Sequence, residues 1–340
     1  YTVGVNVKMS RILLLFIAVF LLGESVSAQK KRGQTSMKFL SVSPSARASA
    51  MSDAVTSVSM SAYSAFYNPA TMAHYAGTYS LSAGAVQWIT DINHNSASFI
   101  YRPFDGKIGV FGLNAISVDY GDIISTAYDP DDPSGFRDLG FINPTAFALG
   151  LSYANAVTDQ FSVGANFRYS KQNLGNVAVD RVDDTYLTES FSATASVLDF
   201  GVLYKTGFES LNFGMALRNF SPEVTYDEEK SELPLTFKIG ISMDILDLTE
   251  IDKNHHSLLV SIDANRPRDF DEQLFLGFEY SFLKRFMLRG GYGFPKDEEE
   301  FSVGAGIKQP FGNANISFDY SYTQFGFFGE VNRISVQLGL

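Results

Sequence analysis

From Thr78 to the last residue, hydrophobic and polar residues alternate in short runs that are separated by turn-forming residues. In one run Ala314, Ile316, Phe318, Tyr320 and Tyr322 alternate with Asn315, Ser317, Asp319 and Ser321. A period of two predicts β-strands. About 14 such runs occur, each near the roughly 9 to 11 residues that a tilted membrane-spanning strand needs. They begin near Tyr79, Ser96, Lys107, Thr145, Phe161, Val197, Leu211, Leu235, Leu258, Leu274, Phe286, Phe301, Ala314 and Asn332.

The direction of the apolar face depends on the size of the closed sheet. A period of two is equally typical of a soluble sandwich and of a membrane barrel. A barrel of roughly 14 strands is too wide for side chains to fill, so an apolar face turned inward would leave a void, whereas one turned outward meets lipid. We therefore predict an all-β fold, a transmembrane antiparallel β-barrel of about 14 strands over residues 78–340, with a polar lumen and an N-terminal lumen plug.

The lengths of the connections support this topology. If both ends of the barrel face the periplasm, every odd connection faces outward, and these are the long ones: Gly121 to Asn143, Lys171 to Glu189, and Phe220 to Leu233. Most even connections are short, which is the asymmetry typical of outer-membrane barrels. The even connection from Asp247 to His256 is longer than this pattern predicts.

The first 28 residues have the features of an export signal. Lys8 and Arg11 flank Met9, the residues from Ile12 to Leu22 are apolar, and Val26-Ser27-Ala28 is a small-residue cleavage site. We expect residues 1–8 to lie upstream of a start at Met9, and the mature chain to begin at Gln29. The protein is then expected in the bacterial outer membrane after cleavage of the signal peptide.

The segment from Lys38 to His74 lacks the alternation of the later chain and is rich in Ser and Ala. We expect residues 29–77 to lie inside the barrel. The run from Ser45 to Ala54, followed by Ala65-Phe66-Tyr67-Asn68-Pro69-Ala70, resembles the N-terminal signature of the PorV/PorQ family of outer-membrane barrels, relatives of the FadL-type transporters. Ser52 and Thr71 stand where that family commonly has Gly. Asn68-Pro69-Ala70 alone would also suit a turn or a helix end.

The resemblance has implications for fold and function. In FadL-type proteins the N-terminal segment plugs the lumen, which implies a plug motif in this chain made of Ala46, Arg47, Ala48, Met51, Asn68, Pro69 and Ala70. The family implies a part in type IX secretion, together with other secretion-system proteins or secreted cargo and with outer-membrane lipid. The alternative is passive uptake of a hydrophobic small molecule, as in FadL-type channels.

Two sets of residues are candidates for binding. The lumen lining is predicted to include Arg168, Arg218, Lys238, Asp263, Glu279, Arg289, Asp319 and Arg333. These charges either select what passes or pair with one another and hold the plug, and the even mixture of signs favours pairing. The long outward loops carry aromatic residues that water disfavours, which predicts a partner surface at Tyr128, Phe136, Phe141, Phe325, Phe327 and Phe328.

Composition argues against several other functions. The net charge of −11 disfavours nucleic acid as a partner, and the chain has no cysteine. It contains no nucleophile elbow, Walker loop or His-Glu-x-x-His motif, and its four histidines fall outside the predicted strands. We predict no catalytic residue, cofactor or metal site. The acidic clusters Asp129 to Pro133 and Asp297 to Glu300 are interpreted as solvated loop charge, and His255-His256 beside Asp252 as a weak metal candidate.

Overall fold

The computed structural model describes residues 34–129, 132–182, 185–227, 229–295 and 301–340. The predicted export signal lies outside these residues. Within them, no helix is both long enough and apolar enough to cross a membrane.

The described residues form 18 strands. They are β1 (Tyr79–Gln87), β2 (Asn93–Tyr101), β3 (Val110–Asp119), β4 (Ile123–Tyr128), β5 (Phe136–Ile142), β6 (Thr145–Ala156), β7 (Phe161–Val182), β8 (Thr185–Lys205), β9 (Asn212–Phe220), β10 (Val224–Tyr226), β11 (Glu229–Ser231), β12 (Thr236–Asp244), β13 (His256–Pro267), β14 (Gln273–Phe282), β15 (Phe286–Phe294), β16 (Phe301–Phe311), β17 (Ala314–Gln324) and β18 (Glu330–Gly339).

Fourteen of these strands close into one antiparallel barrel in the order β1-β18-β17-β16-β15-β14-β13-β12-β9-β8-β7-β6-β3-β2. Each barrel strand pairs with the next barrel strand along the chain, and β1 pairs with β18 to complete the closure. Among the described residues, the remaining strands form two ribbons, β4–β5 and β10–β11. The predicted fold class and strand number are confirmed.

Burial alternates along the barrel strands with the predicted period. In β6 the side chains of Phe147, Leu149 and Leu151 are exposed, while those of the alternating residues Ala146 and Ala148 are buried. In β17 Phe318 and Tyr320 are exposed, while Asp319 is buried. The apolar face therefore points out of the barrel, as predicted, and meets lipid in a membrane.

The odd connections carry extended structure where the sequence predicts loops. Within the interval from Lys171 to Glu189, residues 171–182 belong to β7 and residues 185–189 to β8, which are 22 and 21 residues long, so the prediction of a loop there is wrong. Both strands are longer than the roughly 9 to 11 residues that are needed to cross the membrane. Outside the lipid a strand keeps its backbone hydrogen bonds, but it no longer needs an apolar face, so the alternation is lost. The ribbons β4–β5 and β10–β11 occupy the other two long connections.

The even connections are short turns with one structured exception. Residues Ile245–Leu248 form a 3₁₀ turn that is capped by the Asp244 side chain, which accepts from the Leu246 amide and from the Leu258 amide, both at 3.0 Å. This turn overlaps the start of the Asp247 to His256 connection. His94 lies in β2 and His256 begins β13, so the expectation that all four histidines fall outside strands is wrong.

The residues before β1 form short helices. These are α1 (Ala46–Ala50) and α2 (Ser64–Tyr67), with 3₁₀ turns at Lys38–Ser41, Ser61–Tyr63 and Pro69–His74. Further 3₁₀ turns lie at Ile89–Asp91, Pro103–Gly106 and Gly326–Phe328. Ser45 caps α1 by accepting from the Ala48 amide at 3.4 Å. Most side chains from Met37 to Met72 are buried, although the helices are too short to bury one another.

Candidate functional site

Residues 34–77, here called the lumenal segment, contact strands on several sides of the barrel. Its close neighbours are glycines with inward-facing backbone: Gly84 in β1 meets Tyr63, Gly201 in β8 meets Asn68, and Gly277 in β14 meets Met51. A Cβ atom added at any of these glycines would collide with the segment. The small residues of the polar face therefore make the space that the segment occupies.

Asn68 ties the segment to itself and to the barrel wall. Its amide nitrogen donates to the Thr56 carbonyl at 2.7 Å and to the Val202 carbonyl at 3.0 Å. Its side-chain oxygen accepts from the Ala70 amide at 3.1 Å and so caps the turn that begins at Pro69. Because Asn68 is fully buried, each of these bonds replaces a bond to water that folding removes.

His74, near the end of the lumenal segment, is half-buried. Burial, assisted by the charge of Lys205, lowers the pKa of His74 to about 4. His74 is therefore neutral at pH 7.

The run from Ser45 to Ala54 ends in a tight turn. Ser52 has φ of 50° and Asp53 has φ of 58°, which is the left-handed region that favours glycine. Ser52, one of the two positions that depart from the resembled signature, therefore has a backbone conformation that glycine adopts more readily. Asp53 is held in place by the Ser43 hydroxyl, which donates to its carboxylate at 2.6 Å.

Arg47 connects the lumenal segment to a buried cluster of charges on the barrel wall. Its guanidinium makes two 2.7 Å hydrogen bonds to the Glu279 carboxylate and one of 3.0 Å to the Ser59 carbonyl. Arg289 donates to Glu279 at 2.5 Å and to Asp319 at 2.7 Å. The four charged groups alternate in sign and balance one another, which is the condition under which buried charges are tolerated.

The other predicted lumen residues are also buried, and most contact the lumenal segment. Asp263 accepts from the Thr56 amide and hydroxyl at 3.0 and 2.6 Å. Arg333 donates to the Ser43 carbonyl at 3.2 Å, Lys238 to the Asp53 carbonyl at 3.4 Å, and Arg218 to the Leu40 carbonyl at 3.5 Å. Arg168 instead bonds Asp199 and Asn219 on neighbouring strands, both at 2.7 Å. These contacts favour charges that hold the lumenal segment over a selectivity lining.

Five of the six aromatic residues predicted to form a partner surface are exposed. Tyr128 is 78% exposed and Phe327 is 98% exposed, and Phe136, Phe141 and Phe328 are exposed too. Phe325 is only 5% exposed, so its place in this surface is wrong. Its ring packs edge-on against Trp88 at a centroid distance of 4.7 Å, a contact between the β17–β18 and β1–β2 connections. No local pattern marks that contact.

Ion pairs of Asp129 join the ribbon β4–β5 to the β7–β8 hairpin. Asp129 is fully buried and lies 2.8 Å from both Arg137 and Arg181. Both guanidinium groups also lie over the ring of Tyr186, at 6.0 and 5.7 Å. The interpretation of Asp129 as solvated loop charge is wrong, because the charges that bury it come from positions 8 and 52 residues away. The second acidic cluster lies outside the described residues.

One group of contacts has no signal in the sequence: Thr35 and Lys38 meet Asp269 at the end of the barrel that carries the long odd connections. The partners are more than 230 residues apart, and Asp269 stands in a short polar turn like many others. Among the described residues, no group of three or more His, Asp or Glu is arranged to hold a metal ion.

Comparison with known proteins gives a family and a fold. A family model described as type IX secretion system protein PorV matches residues 25–262. A comparison with curated protein sequences gives no match. The Ralstonia pickettii toluene transporter TbuX has a similar structure, with a TM-score of 0.57 and 14% identity, covering 86% of this chain and 96% of that one. The Pseudomonas putida toluene transporter TodX has a TM-score of 0.56 and 11% identity, covering 86% of this chain and 96% of that one. A Pseudomonas aeruginosa FadL homologue has a TM-score of 0.51 and 12% identity, covering 87% of this chain and 98% of that one.

Proposed function

The chain belongs to the PorV family of type IX secretion system proteins, and from that membership we propose that it serves this system as a plugged barrel that docks another protein at the cell surface. It is an outer-membrane β-barrel. The proposal adds that residues 29–77 are the plug, that residues 1–28 are removed as a signal peptide, and that the long odd connections face the cell exterior.

The plug role is supported chiefly by the charge cluster around Arg47. If the segment left the lumen, the two carboxylates of Glu279 and Asp319 would share a single guanidinium, that of Arg289. Arg47 would lose both of its hydrogen bonds to Glu279. Breaking one partner out of a buried ion network is costly, on the order of 3–5 kcal/mol. The segment is therefore expected to stay in place in the isolated protein and to block passage.

The docking role is supported by the exposed aromatic residues of the outer connections. Tyr128 and Phe136 face each other across the β4–β5 ribbon, and the ion pairs of Asp129 hold this ribbon against the β7–β8 hairpin. Large apolar side chains on a rigid support are typical of protein–protein contacts. The partner is proposed to be another secretion-system protein or secreted cargo, and no catalytic step is assigned to the barrel.

A second function has its own support. The similar structures include proteins named as toluene transporters and as a FadL homologue, which favours passive uptake of a hydrophobic small molecule. That function would require a continuous apolar path past the lumenal segment. The buried charges that meet the segment make such a path unfavourable.

Deletion of the gene separates the two functions. The proposed function predicts that proteins bearing type IX sorting domains accumulate in the periplasm or fail to be anchored at the surface, while uptake of hydrophobic compounds is unchanged. Re-expression of the wild-type chain should restore surface display. Normal display together with lost uptake of a hydrophobic compound would reverse the assignment.

A further inference from the structure

The lumenal segment begins at the outer end of the barrel. Thr35 forms a parallel bridge with Glu232, and the Ser36 amide donates to the Glu232 carbonyl at 2.8 Å. Glu232 lies between β11 and β12, in an odd connection. At the other end of the segment, the Ser162 hydroxyl, near the inner start of β7, donates to the Ala70 carbonyl at 3.0 Å. The segment therefore runs through the depth of the barrel, from the outer end to the inner one.

The outer end of the segment is held in a pocket made by Glu232, Asp269 and Phe270, here called the outer pocket. The Lys38 ammonium lies 2.5 Å from the Asp269 carboxylate and 4.8 Å from the centre of the Phe270 ring. The same carboxylate oxygen accepts from the Thr35 hydroxyl at 2.7 Å. A carboxylate beside an aromatic face suits a primary ammonium, through a charge-assisted hydrogen bond and a cation–π contact.

The two sides of this contact differ in burial. Asp269 is only 3% exposed, and its second oxygen has no hydrogen-bond partner among the described residues. The Lys38 side chain is 44% exposed, and Gln34 is exposed as well. The pocket thus has unused acceptor capacity, whereas Gln34 and the Lys38 side chain of its occupant are exposed.

We propose that the outer pocket is a binding site, open to the cell exterior, for an extended peptide that carries a lysine, and that Thr35–Lys38 of the same chain is its resident ligand. Recognition uses the Glu232 carbonyl for the peptide backbone and Asp269 with Phe270 for the ammonium. A peptide of this chemistry displaces the resident one and frees the outer part of the lumenal segment, while Asn68 still holds the inner part. The inference rests on the orientation given in the proposed function.

The first test uses the absence of cysteine from the chain. Gln34→Cys is expected to react with a membrane-impermeant maleimide on intact cells. Thr225→Cys in the outer ribbon β10–β11 should also react, and Asn313→Cys in an even turn should react only after lysis. Reaction of Asn313→Cys but not Thr225→Cys on intact cells would overturn the orientation and the inference together. If both control variants behave as expected and Gln34→Cys reacts only after lysis, the inference alone is overturned.

The second test measures release from the pocket. Met37 is buried, so the labelling rate of Met37→Cys reports on opening. Adding Asp269→Asn should raise this rate on the order of tenfold or more, because the Lys38 ammonium loses the negative charge of its partner and the ion pair is broken. Glu272 lies in the same connection as Asp269 and forms an exposed ion pair with Arg266. Glu272→Gln should leave the labelling rate unchanged. Equal rates in the two variants would contradict the role of Asp269.

The ligand class is tested with a synthetic peptide of residues 34–40. In purified protein carrying Met37→Cys, about 1–10 mM peptide should accelerate labelling, because it competes with a tethered ligand whose effective concentration is millimolar. The same peptide with Lys38→Ala is the matched control and should have little effect. Equal effects of the two peptides, or no effect of either, would overturn the proposal. A gel shift on boiling verifies that each variant has a folded barrel.

Discussion

At the residue scale, the contact between Asn68 and Gly201 decides how closely the lumenal segment approaches the wall. Asn68 fills the space that a side chain at position 201 would occupy. Asn68 is part of the plug motif that the family resemblance predicts, whereas no feature of the sequence identifies Gly201. A glycine in an alternating strand is common on a lumenal face, and its partner lies 133 residues earlier in the chain, so no local pattern relates the two.

This contact leads to a prediction. Gly201→Ala places a methyl group against the Asn68 side chain, and overpacking of this kind costs about 1–3 kcal/mol. The lumenal segment should become more accessible to an added protease, while the barrel keeps its shift in gel mobility on boiling, because strand ladders do not depend on the segment. The matched control is Gly290→Ala, where an added Cβ has no atom within 4 Å. Equal protease resistance of the two variants would contradict the account of Asn68.

At the element scale, the sequence predicts the strands well where lipid imposes a pattern and poorly where it does not. The start of β16 at Phe301 and of β17 at Ala314 agree with the structure, because lipid on one side and the lumen on the other enforce alternation. Residues from Lys171 to Glu189 have water on their outer face, so the pattern fades although the strands continue. Phe325 and Asp129 are predicted to be exposed but are buried. The burial of Phe325 depends on Trp88 in another connection, and that of Asp129 on Arg181 in β7.

The ion pairs of Asp129 give a prediction for the outer ribbon. Asp129→Asn weakens the contacts to Arg137 and Arg181 and should cost about 3 kcal/mol or less, since both guanidinium groups are partly exposed. Hydrogen exchange in β4 and β5 should therefore accelerate while exchange in the barrel strands is unchanged. Asp138→Asn is the control, because among the described residues the Asp138 side chain accepts only from the nearby Gly140 amide. Equal exchange in both variants would mean that the ribbon is held by other contacts.

At the scale of the whole molecule, closure and the direction of the apolar face could be predicted from periodicity and barrel width alone. All eight charged residues that alternation predicts to face the lumen are buried. Their partners could not be assigned, because Arg47 and Glu279 are 232 residues apart and meet only when the barrel closes around the segment. The central claim is that this closed barrel is plugged by its own N-terminal residues.

Ion conductance across a planar lipid bilayer tests that claim most directly. The purified full-length protein should conduct weakly, because the lumenal segment fills the space that the glycines of the wall leave open. Deletion of residues 38–74 should raise the conductance severalfold, since a barrel of roughly 14 strands is too wide for its own side chains to close. The deletion variant must retain the gel shift on boiling that marks a folded barrel. An equally low conductance in a folded deletion variant, or a high conductance in the full-length protein, would contradict the account.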